Sequence, residues 1–586
     1  MQKRTANDII ADRRKMTDAR LIIKDGRQCP IPLKIAYVFF IVCAAMGEWS
    51  PINQKLYGLP KVLSVGVIFI AAAYAIINPD IARLKNVWQP TLLYMSLIAA
   101  LLLWSLAIWI MSFIDVSSMT RGVSKMIYQS ISVMAAVSAV YLFGIEAIDL
   151  FTIGLCITNG LIMLLEIPNF GLWSSIQSLV TCLVTFGNAE GYARSLEIHD
   201  LTFVFGQLII YYVAFAPRDT SRQRNQRRGF IAVCCFFFLV GMKRIAIPAV
   251  IVFTVFALLL KKKKRVLPVI LIVGVAWFLF FFVFIYCVRN GYVSKLCNRI
   301  GIDMMGREYL WQLANKYYDL SFTYMGRGFE YVDTIVVQWY RDGIINHAYP
   351  FHNDILKVFV EVGFPGFCIW SVLQYIVFPV FWYKYAGNRA ALLYAAVLGY
   401  MTVTYLTDNT AFYFWSTMSL RLVVLSYAFL RRKQKAAEEA ENMAMFDQAV
   451  QALNAKDFVL EADRVEFKRG RFVYVTPSTN FVSMKGNRAT IQLAFNGAYA
   501  GPNGIGGITV DGNASNVEMK TDKKGNVTFS MMVQGVAVSA NVTFRMVKGS
   551  NKCTATVSPN FNSNRISFTG SLYPTEQSNV FKGRSI

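Results

Sequence analysis

The sequence has few charged side chains for its length, and very few histidines. Of its 586 residues, 16% are charged and three are histidine, whereas 55% are hydrophobic. Soluble globular domains contain about 25% charged residues on average, so this composition excludes an ordinary soluble protein. Acidic residues are also scarce beside basic ones, with 35 Asp and Glu against 59 Lys and Arg and a net charge of +24. The composition is that of a basic membrane protein.

Cysteine clusters and nucleotide-binding motifs are absent from the sequence as well. The ten cysteines are scattered, mostly inside hydrophobic runs, and form no CxxC pair and no zinc-ligand spacing. No disulfide framework is therefore predicted. A zinc site needs three or four converging ligands, which three dispersed histidines do not suggest. The glycine-rich stretch 501–507 lacks a P-loop lysine and a following helix, so it predicts a turn. We expect neither a metal nor a cofactor.

About twelve hydrophobic runs are long enough, at roughly 17–23 residues, to cross a hydrocarbon core of about 30 Å. They predict an α-helical polytopic membrane domain over residues 33–430. No cleavage site of small residues follows the first run, so it is predicted to be a retained span rather than a signal peptide. The expected spans are 33–49, 62–79, 91–113, 127–144, 148–166, 200–216, 230–242, 246–260, 266–288, 364–383, 390–407 and 412–430.

The basic residues cluster beside alternate spans. The polar segment 1–32 is basic, five arginines lie within 218–228, a Lys/Arg run occupies 261–265, and Arg431-Arg432-Lys433 follows the last span. The positive-inside rule then places both termini in the cytoplasm and the connections after odd-numbered spans outside. Because the charge follows topology, nucleic acid is not an expected partner. Anionic lipid headgroups are the natural neighbours of these connections.

Two outer segments are long enough to build a site. Residues 167–199 contain an apolar stretch, Leu172 to Phe186, with helical spacing, which predicts a helix that lies in the membrane interface or re-enters it. The larger loop, residues 289–352, mixes aromatic and charged side chains and lacks the composition of a linker. We expect it to form short helices that cap the bundle.

The chain changes character after the last span. Residues 431–455 are rich in Ala, Glu, Lys and Gln, which predicts a polar helical linker. Residues 456–586 show apolar/polar alternation separated by Gly/Asn/Lys turn signals, such as Lys485-Gly486-Asn487 and Lys523-Lys524-Gly525-Asn526. Some six to eight short strands predict an all-β domain, either an antiparallel sandwich or a barrel.

Arginine in the large outer loop is a candidate for binding an anionic group. Arg307 follows Gly306 and precedes Trp311 by about one helical turn. A guanidinium group binds phosphate oxygens through two parallel hydrogen bonds, and a weakly solvated site strengthens the pairing. The alternative is that Arg307 has a structural role in the loop.

Other basic residues depart from the positive-inside trend or enter the apolar region. Lys243 and Arg244 lie on the outer side between two closely spaced runs, so they either snorkel to the headgroups or bind substrate phosphate. Arg421 falls near the middle of the last span. It should face the protein interior or a wet cavity, where an acidic side chain or free carbonyl groups would satisfy it.

His352 lies where the large outer loop re-enters the apolar region. A near-neutral imidazole can accept a proton from a hydroxyl nucleophile, although a hydrogen-bonded structural role is the alternative. His199 and His347 are placed on the same side of the membrane, in contexts that favour this role less. Three acidic residues could orient such a base: Glu197, Asp200 and Asp354.

Over residues 30–430 the chain resembles the O-antigen polymerase and O-antigen ligase superfamily of bacterial envelope polysaccharide enzymes. The resemblance depends on the number of spans, on the large outer loop late in the chain, and on these motifs in order: Gly306-Arg307, Trp311, Gly326-Arg327-Gly328, His352-Asn353, Gly363 and Gly366. It implies metal-independent glycosyl transfer from an undecaprenyl-pyrophosphate-linked donor, on the outer face of the bacterial cytoplasmic membrane.

The same resemblance implies roles for individual residues. His352 would activate the acceptor hydroxyl, and Arg307 would hold the pyrophosphate leaving group. Arg244 matches a basic position at the start of the span after the short seventh one, where Ser-Arg is usual and Lys243-Arg244 stands here. Arg327 and Arg194 are further expected substrate-binding positions.

Residues 445–586 resemble a family of small uncharacterised β domains that are usually exported. The marks are Leu460-Glu461-Ala462-Asp463-Arg464, Asn480-Phe481, Gly501-Pro502-Asn503-Gly504 and Gly506-Gly507. The predicted topology places this domain in the cytoplasm. An exported family in that position indicates an unusual natural or artificial fusion, or a miscounted span.

The predicted function is polymerisation of lipid-linked oligosaccharide repeat units into an envelope polysaccharide such as O-antigen, capsule or exopolysaccharide. Two alternatives stay open, namely ligase-type transfer of the chain to another acceptor and a non-enzymatic flippase or transporter. A transporter would show internal repeats, and none is clear, whereas a large asymmetric outer loop favours an enzyme. Expected partners are the lipid-linked oligosaccharide, the membrane and other polysaccharide assembly proteins.

Overall fold

The computed structural model describes residues 29–56, 58–112, 116–185, 189–241, 243–301, 304, 306–348, 350–468, 470–494, 505–536, 538–560 and 565–585. Most of the predicted N-terminal segment 1–32, and the start of the glycine-rich stretch 501–507, lie outside the described residues. The chain forms two compact units, one ending at Arg432 and one beginning at Lys433.

The unit that ends at Arg432 is helical. Its connections include two short 3₁₀ turns, Asn315–Tyr317 and Thr410–Phe412, and one π-helical turn, Leu373–Val377. In chain order its helices are α1 (Ile31–Met46), α2 (Ser50–Asn53), α3 (Leu59–Ile77), α4 (Ile81–Ser112), α5 (Val116–Phe143), α6 (Glu146–Phe170), α7 (Leu172–Thr185), α8 (Gly191–Ser195), α9 (His199–Ala214), α10 (Ser221–Val240), α11 (Ala246–Leu260), α12 (Leu267–Arg289), α13 (Tyr292–Arg299), α14 (Arg307–Ala314), α15 (Tyr331–Arg341), α16 (Asp354–Val372), α17 (Phe378–Ala386), α18 (Asn388–Tyr405) and α19 (Phe414–Ala455).

Every predicted span coincides with a helix, and six helices of the described residues are long and apolar enough to cross a membrane. These are Leu59–Ile77, Ile81–Ser112, Ser118–Phe143, Glu146–Phe170, Leu267–Arg289 and Asp354–Ala386. The remaining helices are shorter or more polar. Helices α1, α9 and α11 have 16, 16 and 15 residues, and the first two turns of α10 carry four arginines. The helical unit therefore has six membrane-length helices plus shorter ones, as in an integral membrane protein.

Burial separates the central helices from the peripheral ones. In the most apolar 18-residue window of α5, and in that of Asp354–Ala386, 72% of the residues are buried, against 22% in α3 and α12. Apolar side chains of α7 also face outward, and Trp173 and Val184 are strongly exposed. The helix predicted from Leu172 is therefore present, and its exposed apolar face suits either an interfacial or a re-entrant position. The large outer loop leads directly into α16, one of the two central helices.

Helix α16 is broken at Gly363, which has φ 66° and ψ −172°. The break frees carbonyl groups that buried backbone must satisfy. The amide N–H of Gly328 donates to the Glu361 carbonyl at 2.7 Å, and that of Arg327 donates to the same oxygen at 3.0 Å. Trp104 Nε1 donates to the Val362 carbonyl at 2.7 Å. The Gly326-Arg327-Gly328 segment of the outer loop is therefore fixed to the bundle at this break.

Buried Arg421 is hydrogen-bonded without an acidic partner among the described residues. Its guanidinium donates to the Gln129 carbonyl at 3.0 Å, to the Gln129 side-chain oxygen at 2.9 Å, and to Ser132 Oγ. Arg421 thus faces the protein interior, as expected for an arginine in the middle of a span. A carbonyl group and polar side chains accept its hydrogen bonds, rather than an acidic side chain.

The unit that begins at Lys433 contains the end of α19 and an all-β domain. Its strands are β1 (Asp457–Phe467), β2 (Phe472–Tyr474), β3 (Phe481–Lys485), β4 (Arg488–Ala494), β5 (Gly507–Thr521), β6 (Val527–Gly535), β7 (Ser539–Met546), β8 (Lys552–Pro559) and β9 (Ile566–Pro574). The predicted linker 431–455 is not a separate element. It continues the last predicted span within α19, because strong helix formers fill it and no Gly or Pro interrupts it.

Eight antiparallel strands close into a barrel because β1 pairs with β3 on one edge and with β9 on the other. Short β2 pairs with the part of β1 that β3 leaves free. Alternate side chains fill the interior in several strands, as in β6, where Val527, Phe529, Met531 and Val533 are buried. The last turns of α19, including Phe446, pack into the same core. Closure decides between the sandwich and the barrel that the sequence left open.

The break in α16 predicts that only glycine is tolerated at position 363. A Cβ there would lie 2.2 Å from the backbone carbon of Met325, so Gly363→Ala combines a glycine-only conformation with a backbone clash. We expect the free energy of unfolding to fall by at least about 3 kcal/mol. The measurement is the melting temperature of the detergent-purified protein, which should be lower, together with a lower yield.

Gly343→Ala is the matched control. Gly343 also has positive φ, at +72°, but a Cβ there would meet nothing within 4 Å. Gly343→Ala should lower the free energy of unfolding by only about 1–2 kcal/mol. Equal melting temperatures for the two variants would contradict the docking of the loop at the break.

Candidate active site

The helical unit contains a cavity of about 1980 Å³. Pockets for drug-sized ligands measure about 300–1,000 Å³, so this space suits a much larger ligand. The predicted topology has the connections after odd-numbered spans on one side of the membrane. All six of these connections, with residues next to them, contribute to the lining, through positions 48–61, 120–129, 189–200, 243–244, 306–352 and 412–414.

His352 lies in this cavity beside a carboxylate. Its Nδ1 is 3.6 Å from Oδ1 of Asp408, with the two side chains 16% and 7% exposed. Nδ1 is fully buried, so Nε2 is the nitrogen available to a ligand. The backbone of His352 has φ 53°, which is unusual for a residue with a side chain. Asn353 follows as the N-cap of α16, since its side chain accepts from the Leu356 amide at 3.0 Å.

Arg307 is held close to the same segment of chain. It is the first residue of α14, after Gly306 with φ 77°. One turn later, Trp311 Nε1 donates to the carbonyl of Phe351 at 3.0 Å. That bond joins α14 to the residue before His352. Arg307 is half-buried, and no ion pair among the described residues includes it, so its charge is available to an anionic ligand.

The other predicted basic residues of the cavity differ in their pairing. Lys243 Nζ lies 2.7 Å from Oε1 of Glu197, and its side chain is only 10% exposed. Its charge is thus balanced by a structural ion pair. Arg244 and Arg194 also line the cavity and are exposed to it. The segment that carries Arg194 is fixed by Ser178 Oγ, which donates to the Glu190 carbonyl at 2.8 Å.

Two of the remaining predicted residues are placed by the structure. Arg327 does not line this cavity in the described part of the chain. Its Nε donates to the Tyr317 carbonyl at 3.0 Å, and its backbone N–H donates to the Glu361 carbonyl at the break in α16. His347 lines the cavity. The side chain of His199 lies outside the described residues.

The acidic residues suggested as orienters of a base are engaged elsewhere, as N–H acceptors or in an ion pair. Asp200 accepts from the amides of Trp415 and Ser416 at 2.9 Å, so its carboxylate caps the start of α19. Asp354 accepts from the Ala411 amide at 2.7 Å, and Glu197 pairs with Lys243. Asp408, which sequence reasoning missed, takes the place beside His352. It was detectable as an acidic residue in the outer connection after the eleventh span.

Further cavity residues were also missed. Arg121 and Lys125 stand one helical turn apart at the outer end of a span, where they oppose the positive-inside trend as Lys243 and Arg244 do. Arg121 is exposed, and no ion pair among the described residues includes it. Glu48 lines the cavity after the end of α1.

A buried charge cluster supports the wall of the cavity. Lys357 Nζ of α16 lies 3.0 Å from Glu330 Oε1, 2.6 Å from Asp333 Oδ2 and 3.9 Å from Glu361 Oε1. Lys125 of α5 approaches the same Glu330 oxygen at 3.9 Å. Burial alone would raise the pKa of Asp333, but the Lys357 and Lys125 ammonium groups lower it to about 2. The cluster joins α15 and the loop before it to α5 and α16, the two central helices.

The arrangement combines a histidine beside a carboxylate with three cavity arginines, Arg121, Arg194 and Arg307, that belong to no ion pair among the described residues. A carboxylate beside Nδ1 favours the tautomer in which Nε2 can accept a proton. Guanidinium groups bind phosphate oxygens in pairs. No group of three His, Cys, Asp or Glu side chains that could hold a metal ion occurs among the described residues. An imidazole and guanidinium groups in one cavity suit proton transfer from a hydroxyl group together with binding of a phosphorylated group.

Lys243 and Arg307 should respond differently to loss of charge. Lys243→Met leaves Glu197 without its partner in a poorly exposed position, so we expect a stability loss of about 1–3 kcal/mol. The double variant Lys243→Met/Glu197→Gln should recover most of that loss. Arg307→Met breaks no ion pair among the described residues and should keep the wild-type melting temperature. A double variant as unstable as the single one would contradict the structural role of Lys243.

Comparisons with known proteins agree with both parts of the chain. Residues 229–371 match the family model described as O-antigen ligase, and residues 440–572 match the model described as domain of unknown function DUF4251. A solved structure that matches is the crystal structure of a DUF4251 family protein from Bacteroides eggerthii. It is 49% identical, with 25% of this chain and 99% of that chain covered and a TM-score of 0.22.

No curated protein matches the chain. The O-antigen ligase match includes Lys243, Arg244, Arg307 and His352, and it ends before Asp408. The DUF4251 match covers the last turns of α19 and nearly the whole barrel. The chain thus carries an O-antigen ligase domain within its helical unit, and its C-terminal domain belongs to the DUF4251 family.

Proposed function

We propose that the helical unit is a glycosyltransferase that polymerises lipid-linked oligosaccharide repeat units on the outer face of the bacterial cytoplasmic membrane. The O-antigen ligase match supports a role in polysaccharide assembly. The observation that carries the finer proposal is the cavity of about 1980 Å³, which contains both His352 and Arg307. Its size suits two oligosaccharide chains, a donor and an acceptor.

His352 acts as the general base in this proposal. The acceptor hydroxyl oxygen attacks the anomeric carbon of the donor sugar and gives its proton to Nε2 of His352. Asp408, 3.6 Å from Nδ1, orients the ring and stabilises the imidazolium that forms. The separation exceeds an ordinary hydrogen bond, and such contacts often shorten when substrate binds.

Arginines stabilise the leaving group. As the new glycosidic bond forms, the bond between the anomeric carbon and the phosphate oxygen breaks, and the pyrophosphate keeps the bonding electrons. In this proposal Arg307 binds that developing charge, which is supported by its half-buried position in the cavity and by its lack of an ion pair among the described residues. Donors already oriented toward developing charge stabilise a transition state without reorganisation. Arg121, Arg194 and Arg244 supply further positive charge around the same space.

Ligase-type transfer is the second candidate, and the description of the matching family favours it. The chemistry at His352 and Arg307 would be the same in both reactions. Only the acceptor differs, since a ligase moves the finished chain to a different molecule. Lipid-linked repeat units as the sole substrate separate the two, because a polymerase makes long chains from them and a ligase does not.

Variants at His352 and Arg307 test the division of roles. With protein amounts matched, His352→Ala should keep donor binding and reduce polymer formation by about 10²–10⁴-fold. Arg307→Lys should also lose polymer formation, because one ammonium group cannot make the two parallel hydrogen bonds of a guanidinium. Asp408→Asn should lower kcat and leave KM for the donor unchanged. The measurement is chain formation from purified lipid-linked repeat units by the detergent-purified protein.

Three outcomes would contradict parts of this mechanism. Full activity of His352→Ala would remove that residue from proton transfer. Loss of wild-type activity when a chelator is added would indicate a metal-dependent reaction instead. If all the variants lose melting temperature as well as activity, their roles are structural. Lys384→Met is the control for effects of losing a positive charge elsewhere in the helical unit, because Lys384 does not line the cavity.

The barrel is proposed to be dispensable for transfer. It forms its own core, and the cavity lining lies wholly within the helical unit. Truncation after Lys435 should therefore preserve polymer formation by membranes with matched amounts of inserted protein. A truncated protein that inserts normally but makes no polymer would show that the barrel takes part.

A further inference from the structure

A second and much smaller cavity lies inside the helical unit, with a volume of about 40 Å³. Its lining shares Gln129 and Phe412 with the lining of the large cavity, so the two spaces are neighbours. One water molecule needs about 10–15 Å³ of such space, so the small cavity has room for about two to four particles of that size. An oligosaccharide is therefore excluded by volume. Arg421 is the only charged residue among the described residues of this lining.

Arg421 brings a buried positive charge to the small cavity. Its three hydrogen bonds go to the carbonyl and the side-chain oxygen of Gln129 and to Ser132 Oγ. A guanidinium group has five N–H donors, so two of them have no acceptor among the described residues. No ion pair in this part of the chain includes Arg421 either. Hydrogen bonds to neutral groups do not cancel a charge, and a buried charge is costly until an opposite charge approaches it.

Tyr94 adds a second kind of donor to the same lining. The centre of its ring lies 5.7 Å from the guanidinium carbon of Arg421. The Tyr94 hydroxyl is buried and has no hydrogen-bond partner among the described residues. The neighbouring indole of Trp382 can only donate, so it cannot accept the hydroxyl proton. The small cavity thus combines a cation that no carboxylate neutralises with N–H and O–H donors that need an acceptor.

We propose that the small cavity binds a chloride ion beside Arg421. The guanidinium group supplies the opposite charge and N–H donors, and Tyr94 supplies an O–H donor. A monatomic anion fits a space of about 40 Å³, whereas a pyrophosphate group with its seven oxygens is too large. Water fits as well, but it leaves the charge of Arg421 in place. Chloride thus stabilises the packing of α19 against α5 and α4, and the inference does not depend on the transferase reaction.

Exchange of the buffer anion tests the site in the full-length, detergent-purified protein. An anion that binds only the folded state stabilises it. Chloride or bromide should therefore raise the melting temperature by about 2–4 °C over gluconate, which is too large for the cavity. Ionic strength and pH are kept equal, so that screening of surface charges is the same in both buffers.

Single variants assign the chloride response to this cavity. Tyr94→Phe removes one donor and breaks no hydrogen bond between described residues, so it should keep the melting temperature in gluconate and raise the half-maximal chloride concentration by about tenfold. Tyr37→Phe is the matched control, because the Tyr37 hydroxyl is also buried without a partner among the described residues but does not line this cavity. It should leave the chloride response unchanged. Arg421→Gln should abolish the response, and Tyr94→Phe decides the matter if that protein does not fold.

Anomalous diffraction from crystals grown in bromide locates the anion directly. The expected result is a peak within hydrogen-bonding distance of both Arg421 and Tyr94. A cavity without such a peak would overturn the proposal, because it would then hold only water. Equal melting temperatures in chloride and gluconate would overturn it as well. So would a chloride response that Tyr94→Phe changes no more than Tyr37→Phe, because the stabilising anion would then bind elsewhere.

Discussion

The carbonyl groups freed where α16 breaks at Gly363 fix the large outer loop to the helical bundle. Amides of the Gly326-Arg327-Gly328 segment, with the Trp104 indole, supply the missing donors. Because buried carbonyl groups need partners, the loop cannot leave this position without loss of these bonds. The same loop carries Arg307, and α16 begins two residues after His352. The geometry of the cavity thus depends on a backbone break that only glycine can make at this point.

Electrostatics divides the cations of the helical unit into two sets. Lys357 and Lys243 are held by carboxylates, and their energetic role is to fix α15, α16 and the neighbouring connections. Arg121, Arg194 and Arg307 belong to no ion pair among the described residues, although they stand around the same cavity. Positive charge without a protein partner, in a space of this size, suits a large anionic ligand. The sequence does not separate these two sets, which differ in the distance from each cation to the nearest carboxylate.

Much of the fold could be predicted from the sequence because local patterns specify it. Hydrophobic runs located every helix of the twelve predicted spans, since a helix facing lipid needs apolar residues along its length. Turn signals placed the hairpins at Gly486 and Gly525, both with positive φ. The apolar/polar alternation did not locate β1, β3, β5 and β8 individually. Barrel closure was left open beside a sandwich because it depends on the pairing of β1 with β9, which are the first and last strands of the domain.

The sequence by itself determined the membrane-type composition, the helical unit, the separate β domain and the residue types a phosphate-binding site would need. Tertiary structure alone decided which of those residues meet. It brought His352, Arg307, Arg194 and Arg244 to one cavity and directed Arg327 to a backbone role. It also set Asp408 beside His352, 56 positions away in the sequence. The physical reason is that composition and periodicity record the environment of a residue, whereas catalytic geometry depends on contacts between segments that no local pattern encodes.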